Sequence, residues 1–396
     1  MNILTVNSGS ASLKLAVMQI APSAATPRRL AHGSIEHFGP EAATTFQPGD
    51  GECLRRKEDV PDLQAGVQWF LGKCGPITAA VHRIVHGGVR FTEPTLLDES
   101  VLAELELVSE LAPLHNPPAL TALRAVQSAL GAEVPMVAVF DTAFHRTLPP
   151  HAANYPLPHE LTTRLSLRRF GFHGIAHESM LRGYAQLARV PIEQASLITL
   201  QLGSGCSAAA IFEGHPVDTS MGFTPLEGLM MGTRTGDLDP GLLLYLQRKE
   251  GLSIADLETL LNQHSGLLGV SGRSADMREV TAAAAQDPRA ALAVDMFCYR
   301  VRKSIGAYLA TLGGAQAIVF GGGIGENDPS TRQRICEGMS WCGLTLDPAR
   351  NAAAIGTAAR ISPDDARIQA WVIPVDEAAL MAVSAAECLS HASLNS

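Results

Sequence analysis

The chain has 396 residues, more than one ordinary hydrophobic core organises, and so reads as two domains. Its 46% apolar content with only 5% aromatic residues suits an α/β protein built on Val, Ile, Leu and Ala, and its 36 glycines and 24 prolines, scattered as punctuation, exclude collagen-like and disordered classes. A net charge of −9 with no Lys/Arg stripe argues against a nucleic-acid partner, while a few local arginines can still bind an anionic substrate.

Seven cysteines with no CxxC pair suit a reducing compartment better than a disulfide framework or a zinc site. The N-terminal stretch MNILTVNSGS has no basic region and is interrupted by Asn7, so it does not read as a signal peptide. No apolar run approaches a membrane span. The expectation is a cytoplasmic protein without a membrane partner.

Along the chain, apolar residues 3–6 and 13–17 flank Asn7-Ser8-Gly9-Ser10-Ala11-Ser12, which predicts a β-hairpin with a tight polar turn. Leu102, Leu105, Val108 and Leu111 repeat at helical spacing, and this helix is expected to stop before Asn116-Pro117-Pro118. Leu120, Leu123, Val126 and Leu130 mark the next helix, and residues 134–140 read as a buried strand. A domain boundary is expected near Pro149-Pro150. Residues 197–212 repeat the strand–Gly/Ser turn–strand pattern of the N-terminus, which hints at internal duplication. Val294, Cys298, Val301, Ile305, Tyr308 and Leu312 predict a long helix ending at Gly313-Gly314, followed by a strand over 317–320. The alternation argues a layered α/β protein with mixed sheets, its halves facing each other across a ligand cleft.

Several segments carry chemistry. In the first hairpin turn, glycine permits close backbone approach, the hydroxyls can donate to phosphate oxygens, and Lys14 supplies a point charge. Asn7 could reach a metal-bound water. The 203–205 turn offers a similar nest of N–H groups. An ordinary hairpin is the competing reading for both. No Walker A pattern occurs. The run Phe320-Gly321-Gly322-Gly323-Ile324-Gly325-Glu326-Asn327 reads as a loop between a strand and a helix starting near Pro329, suited to a flat ligand or an anion.

Residues 218–237 mix glycine, hydroxyls and charge without either hydrophobic period, which marks a binding loop. Within it Arg234 is the candidate for stabilising negative charge in a transition state, against the alternative of a surface salt bridge. Segments 82–88, 140–145 and 170–177 are each expected to end a strand with polar groups, bringing Arg83, Asp141 and His173 into play.

Together these stretches resemble the acetate kinase family of the acetate and sugar kinase/heat-shock chaperone/actin superfamily. The resemblance runs from residue 1 to about 381 and is carried by HRIVHGG, LAPLHNPP, FDTAFH, GFHGIAH, DTSMGFTPLEGLMMGTRTGDLDPG, SGLLGVSGRSADMR and GGGIGEN. It implies two duplicated actin-like, ribonuclease H-like βββαβαβα domains, the first over 1–149 joined by a C-terminal helix at about 377–396, the second over 150–376. It implies reversible Mg²⁺-dependent phosphoryl transfer from ATP to acetate, giving acetyl phosphate and ADP by direct in-line transfer, with Mn²⁺ able to substitute. A homodimer is expected.

By the same resemblance, Asn7 and Glu377 match metal positions, Asp141, His173 and Arg234 match catalytic groups, and Arg83 matches the carboxylate-binding arginine. Val85, Leu114, Phe172 and Pro225 match the pocket for the substrate methyl group. Lys14, Ser10, Ser12, Gln201, Leu202, Gly203, Ser204, Gly205, Asp276, Met277, Arg278, Gly323, Ile324, Gly325, Glu326 and Asn327 match nucleotide contacts. The family usually has His-Leu-Gly-Asn-Gly where this chain has Gln201-Leu202-Gly203-Ser204-Gly205, and Thr-Asn-Glu-Glu where it has Val375-Asp376-Glu377-Ala378. Ala11 stands for a serine. Propionate or butyrate kinase is the nearest rival. An actin- or chaperone-like ATPase is a rival from another class, and it leaves Arg83, Asp141 and Arg234 unexplained.

Overall fold

The computed structural model describes residues 1–9, 11–21 and 27–394. The chain divides into two compact units, one of Met1–Phe144 with the C-terminal stretch from Asp376, the other of His145–Val375.

The first unit is built on an eight-stranded mixed sheet. Its strands are β1 (Asn2–Ser8), β2 (Ser12–Gln19), β3 (Arg28–Glu36), β4 (Gly39–Pro48), β5 (Leu54–Val60), β6 (Ala79–Ile84), β7 (Thr95–Leu96) and β8 (Met136–Phe140), in the order β5-β4-β3-β2-β1-β6-β8-β7. The first hairpin forms as expected, with Asn7 opposite Lys14. β6 and β8 extend the sheet in parallel with β1. All five residues of β8 are buried, as in a strand covered on both faces.

The helix Asn116–Leu130 starts with Pro117 and Pro118 in its first turn, where the missing N–H groups cost nothing. Its Ala122, Leu123 and Val126 pack with Leu4, Val6, Leu13 and Leu15 in one core. The preceding helix is shorter than its spacing suggests: it spans Glu99–Val108, and Leu111 lies in a 3₁₀ turn. The C-terminal helix Glu377–Leu394 lies against β1, β6 and β8.

The second unit carries a six-stranded sheet of β9 (Leu197–Leu202), β10 (Cys206–Phe212), β11 (His215–Thr219), β12 (Ala317–Gly321), β13 (Ala359–Arg360) and β14 (Gln369–Val372), ordered β11-β10-β9-β12-β14-β13. β9–β11 form an antiparallel meander, and β12 and β14 run parallel to β9. β3-β2-β1-β6-β8 and β11-β10-β9-β12-β14 therefore share one topology, so the duplicated α/β architecture is present in both sheets. The long helix spans Pro288–Leu312, capped by Asp287 and ended by Gly313 at φ 67°.

Two further segments differ from the sequence reading. The glycine-rich run after β12 is a short helix, Gly322–Asn327, not an open loop, and a second helix, Pro329–Cys336, follows it. Gly322 enters at φ 76°, and a Cβ there would lie 2.6 Å from the Leu202 carbonyl oxygen, so only glycine fits. Residues 170–173 end no strand: Phe170 and Phe172 are buried in irregular backbone that opens the helix Gly174–Ala188.

Candidate active site

In the first unit, strand ends gather a charged cluster. Arg83, near the end of β6, donates from Nε to Asp141 Oδ1 at 3.0 Å and from Nη2 to Asp141 Oδ2, while its Nη1 donates to Asn7 Oδ1 at 3.0 Å. Asn7 Nδ2 in turn donates to Glu377 Oε2 at 3.1 Å. Asp141, just beyond β8, is completely buried. Burial works against the Arg83 charge, but Asp141 and Glu377 outweigh it and hold the guanidinium pKa above its ordinary value. Burial pushes the Glu377 carboxyl up, against the pull of Arg83.

The strand-end loops are stapled. Asn116, fully buried, accepts from His86 N at 3.1 Å and donates to His86 O at 3.0 Å, and Gly87 N donates to Thr142 Oγ1 at 3.1 Å. Val85 is buried beside them, while Leu114 is 54% exposed. Lys14 is exposed opposite Asn7, and Ser12 ends the hairpin turn, its carbonyl accepting from Gly9 N at 2.8 Å. Ser10 lies outside the described residues.

Asn7 and Glu377 carry oxygens of the hard kind Mg²⁺ takes, and they touch each other here, while Asn7 Oδ1 and both Asp141 oxygens accept from Arg83. Among the described residues no group of three or more His, Cys, Asp or Glu could hold a metal alone.

In the second unit, His173 and Arg234 converge on the 203–205 turn. A Cβ built at Gly205 would lie 3.3 Å from His173 Nε2 and 3.9 Å from Arg234 Nη1. The glycine gives the His173 ring its close approach to the turn, while the Arg234 contact is an ordinary one. His173 adopts a left-handed conformation, φ 56°, at the start of the helix Gly174–Ala188, a strained geometry for a non-glycine residue. Its Nδ1 lies 2.8 Å from Ser207 Oγ, which also lies 2.8 Å from His177 Nε2, and His177 Nδ1 lies 2.7 Å from Thr199 Oγ1. Burial holds His177 neutral, well below the ordinary histidine range. This chain of hydroxyls and rings fixes the His173 ring with Nε2 toward the turn.

Arg234 donates from Nη1 to the Pro225 carbonyl at 3.0 Å, with Met231 Sδ at 3.6 Å. Among the described residues no carboxylate lies within ion-pair distance of it. The surface salt-bridge reading finds no partner among the described residues. Burial lowers its pKa, which marks a guanidinium short of negative charge.

Beside the turn opens a cavity of about 530 Å³, lined by Gly203, Ser204, Ala275, Asp276, Met277, Arg278, Gly323, Ile324, Asn327 and Asp328. Three distant sequence stretches meet there, in a volume typical of small-molecule sites. Gln201, Leu202, Gly205, Gly325 and Glu326 do not line it. Leu202 is wholly buried, and Glu326 Oε1 accepts from Gly322 N at 2.9 Å and Val375 N at 3.1 Å.

Sequence reasoning missed Ala275, Asp328 and above all Arg332. Arg332 is fully buried, donating to Gly325 O and Asn351 Oδ1 at 2.8 Å, Asn351 O at 2.8 Å and Ala354 O at 2.7 Å. Its anchor on Gly325 holds the glycine-rich helix of the cavity wall in place.

A profile of the acetokinase family matches residues 2–383. The acetate kinase of Solibacter usitatus is 43% identical, with 98% of each chain covered. Among solved structures, the acetate kinase of Porphyromonas gingivalis superposes with a TM-score of 0.88 at 36% identity, covering 98% of this chain and 99% of that one. A propionate kinase from Francisella tularensis gives 0.87 at 34% identity, covering 97% and 98%.

Proposed function

Because the chain belongs to the acetokinase family, we propose that Arg234 and His173 stabilise the phosphoryl group as it passes in line from ATP to acetate. The enzyme is an ATP:acetate phosphotransferase, forming acetyl phosphate and ADP. The observation that carries the site assignment is Arg234: a partly buried guanidinium, without a carboxylate partner among the described residues, converging with His173 Nε2 on a glycine turn beside a nucleotide-sized cavity. Such a group is completed by an anionic ligand.

Phosphoryl transfer asks the protein for positioning and for charge on the equatorial oxygens, and little else. On this reading the 203–205 turn and residues Asp276, Met277, Arg278, Gly323, Ile324 and Asn327 seat the nucleotide, and Lys14 with Ser12 meets its phosphates. Arg83 receives the acetate carboxylate. Three of the five N–H groups of its guanidinium are taken by Asp141 and Asn7, which fixes its plane and leaves two for substrate. Asp141 orients rather than abstracts, because an ionised carboxylate acceptor carries no proton to remove. Asn7 and Glu377 would hold a divalent ion, Mg²⁺ with Mn²⁺ able to substitute, and it would supply charge neutralisation at the phosphates.

Val85, Leu114, Phe172 and Pro225 are assigned to the acceptor methyl group. In a coupled assay with ATP, Mg²⁺ and a panel of carboxylates, acetate is expected to show the highest kcat/KM, propionate to follow and butyrate to be poor. Each methylene is expected to cost roughly 1–3 kcal/mol. Val85→Ala should shift the ratio toward propionate by opening space at the methyl end. A wild-type preference for butyrate, or an unchanged ratio in the variant, would remove this pocket assignment. The likeness to a propionate kinase makes this panel the discriminating measurement.

Ser204 stands where the family usually has Asn. Ser204→Asn is expected to hold or raise kcat by at most one hydrogen bond to a charged group, roughly 1.5–3 kcal/mol. A large loss in steady-state kinetics would show a site rebuilt around the serine.

The homodimer belongs to the same proposal. The helix Pro240–Glu250 buries no residue and exposes Leu242, Leu244 and Tyr245, and Leu292 and Tyr299 are exposed on Pro288–Leu312. A second copy covering these side chains would remove them from water. No helix among the described residues is long and apolar enough to cross a membrane, and the cytoplasm is the proposed location.

A further inference from the structure

The loop carrying Arg234 has little regular hydrogen bonding of its own, yet one stretch of it is tied down at several points by three side chains. Glu227 accepts from Tyr155 Oη and from Arg169 Nη2, each at 2.5 Å. The same two partners hold the other end of the stretch. Arg169 Nη1 donates to Ser220 O at 3.3 Å and Met221 O at 3.0 Å, and Phe223 N donates to Tyr155 Oη at 2.7 Å. The Arg169 guanidinium also lies 5.7 Å from the centre of the Tyr155 ring.

The fit is close: a Cβ at Gly222 would lie 2.7 Å from Glu227 Cδ. Arg169 and Glu227 side chains are only 17% and 33% exposed. Burial and the Glu227 hydrogen bond push the Tyr155 phenol up, so it stays protonated and stays a donor.

Pro225 sits inside this clamped stretch, and its carbonyl is the oxygen that receives Arg234 Nη1. The end of the stretch is linked again to the Arg234 segment, since Gly228 N donates to Asp237 Oδ1 at 2.7 Å and Asp237 N to Gly228 O at 2.9 Å. With no carboxylate to fix it, the guanidinium takes its aim from where the Pro225 carbonyl stands. We infer that Tyr155 and Arg169 are positioning residues for phosphoryl transfer, acting through Glu227 on the Pro225 carbonyl that aims Arg234. The inference rests on the assignment of Arg234 to the transferred phosphoryl group.

A double-mutant cycle tests it. Tyr155→Phe is expected to lower kcat roughly 10–100-fold, as for loss of hydrogen bonding to a charged group, with KM for ATP within about twofold. In an Arg234→Ala background the same change should cost no more than about threefold, because residues acting as a unit are not additive. Full kcat in Tyr155→Phe, or equal losses in both backgrounds, overturns the positioning role alone. Wild-type kcat in Arg234→Ala overturns the assignment of Arg234 and the inference with it. Should Tyr155→Phe not fold by circular dichroism, the isosteric Glu227→Gln goes through the same cycle with the same readings.

Discussion

Replacing Arg234 with alanine is expected to cut kcat roughly 10³–10⁵-fold, the effect of losing a transition-state arginine, while KM for ATP changes little. The asymmetry follows from geometry. The nucleotide-sized cavity is lined by residues from three other stretches and does not include Arg234, so the ground-state complex keeps its contacts. The guanidinium is paired with a carbonyl and a thioether, and neither neutralises it. Its interaction strengthens as charge develops on the transferring group, which is where catalysis gains. Arg234→Lys should recover only part of the rate, since an ammonium cannot hold the Pro225 carbonyl and an equatorial oxygen in one plane. Steady-state kinetics with acetate and ATP settle it, and near-normal kcat in the alanine variant would remove Arg234 from the mechanism.

Arg332→Met should destabilise the protein by at least roughly 3 kcal/mol and raise KM for ATP. Two effects compete. Burial lowers the Arg332 pKa to about 10, corresponding to roughly 3 kcal/mol against the charged form, and methionine escapes that cost. Against it stand four hydrogen bonds from a charged donor, at roughly 1.5–3 kcal/mol each. Their loss strands the buried carbonyls of Gly325, Asn351 and Ala354. The bonds win, and because Gly325 lies within the helix that forms one cavity wall, the loss reaches the nucleotide. Denaturant unfolding monitored by circular dichroism, together with KM for ATP, checks both halves. An unchanged unfolding midpoint would show that the neighbouring backbone repacks without the guanidinium.

The parts of the fold that were legible are those fixed by local pattern. Both Gly/Ser hairpins follow from short apolar runs around a polar turn, and the long helix up to Gly313 follows from its spacing and its left-handed glycine cap. The errors have physical causes. Four glycines in 321–325 argue for loop on propensity, but Gly322 turns the backbone sharply into a helix that tertiary contacts then hold. The first helix does stop before Asn116-Pro117-Pro118, as expected, and those prolines open the next helix, in keeping with a residue that favours the first turn. Arg332 was invisible because a charged residue in the run Thr331-Arg332-Gln333-Arg334 reads as a solvated face. Tyr155 and Glu227 are 72 residues apart, and no local spacing announces that pairing. The catalytic candidates were legible mainly through resemblance, since Arg83 and Asp141 lie 58 residues apart and meet only through parallel strand pairing.

The hydrogen bond from Asn7 to Glu377 spans 370 residues of chain, and this sets a timetable during biosynthesis. At about 5–20 residues per second, roughly 20–75 seconds separate the synthesis of the two partners. Throughout that interval the nascent first sheet lacks the helix Glu377–Leu394, whose Leu380, Met381, Ala382 and Ala385 are buried in the finished protein. The faces of β1, β6 and β8 that this helix covers emerge from the ribosome bare. The N-terminal unit therefore cannot mature in the order it is made. One face of its sheet stays uncovered until Glu377–Leu394 has been made and packs against it.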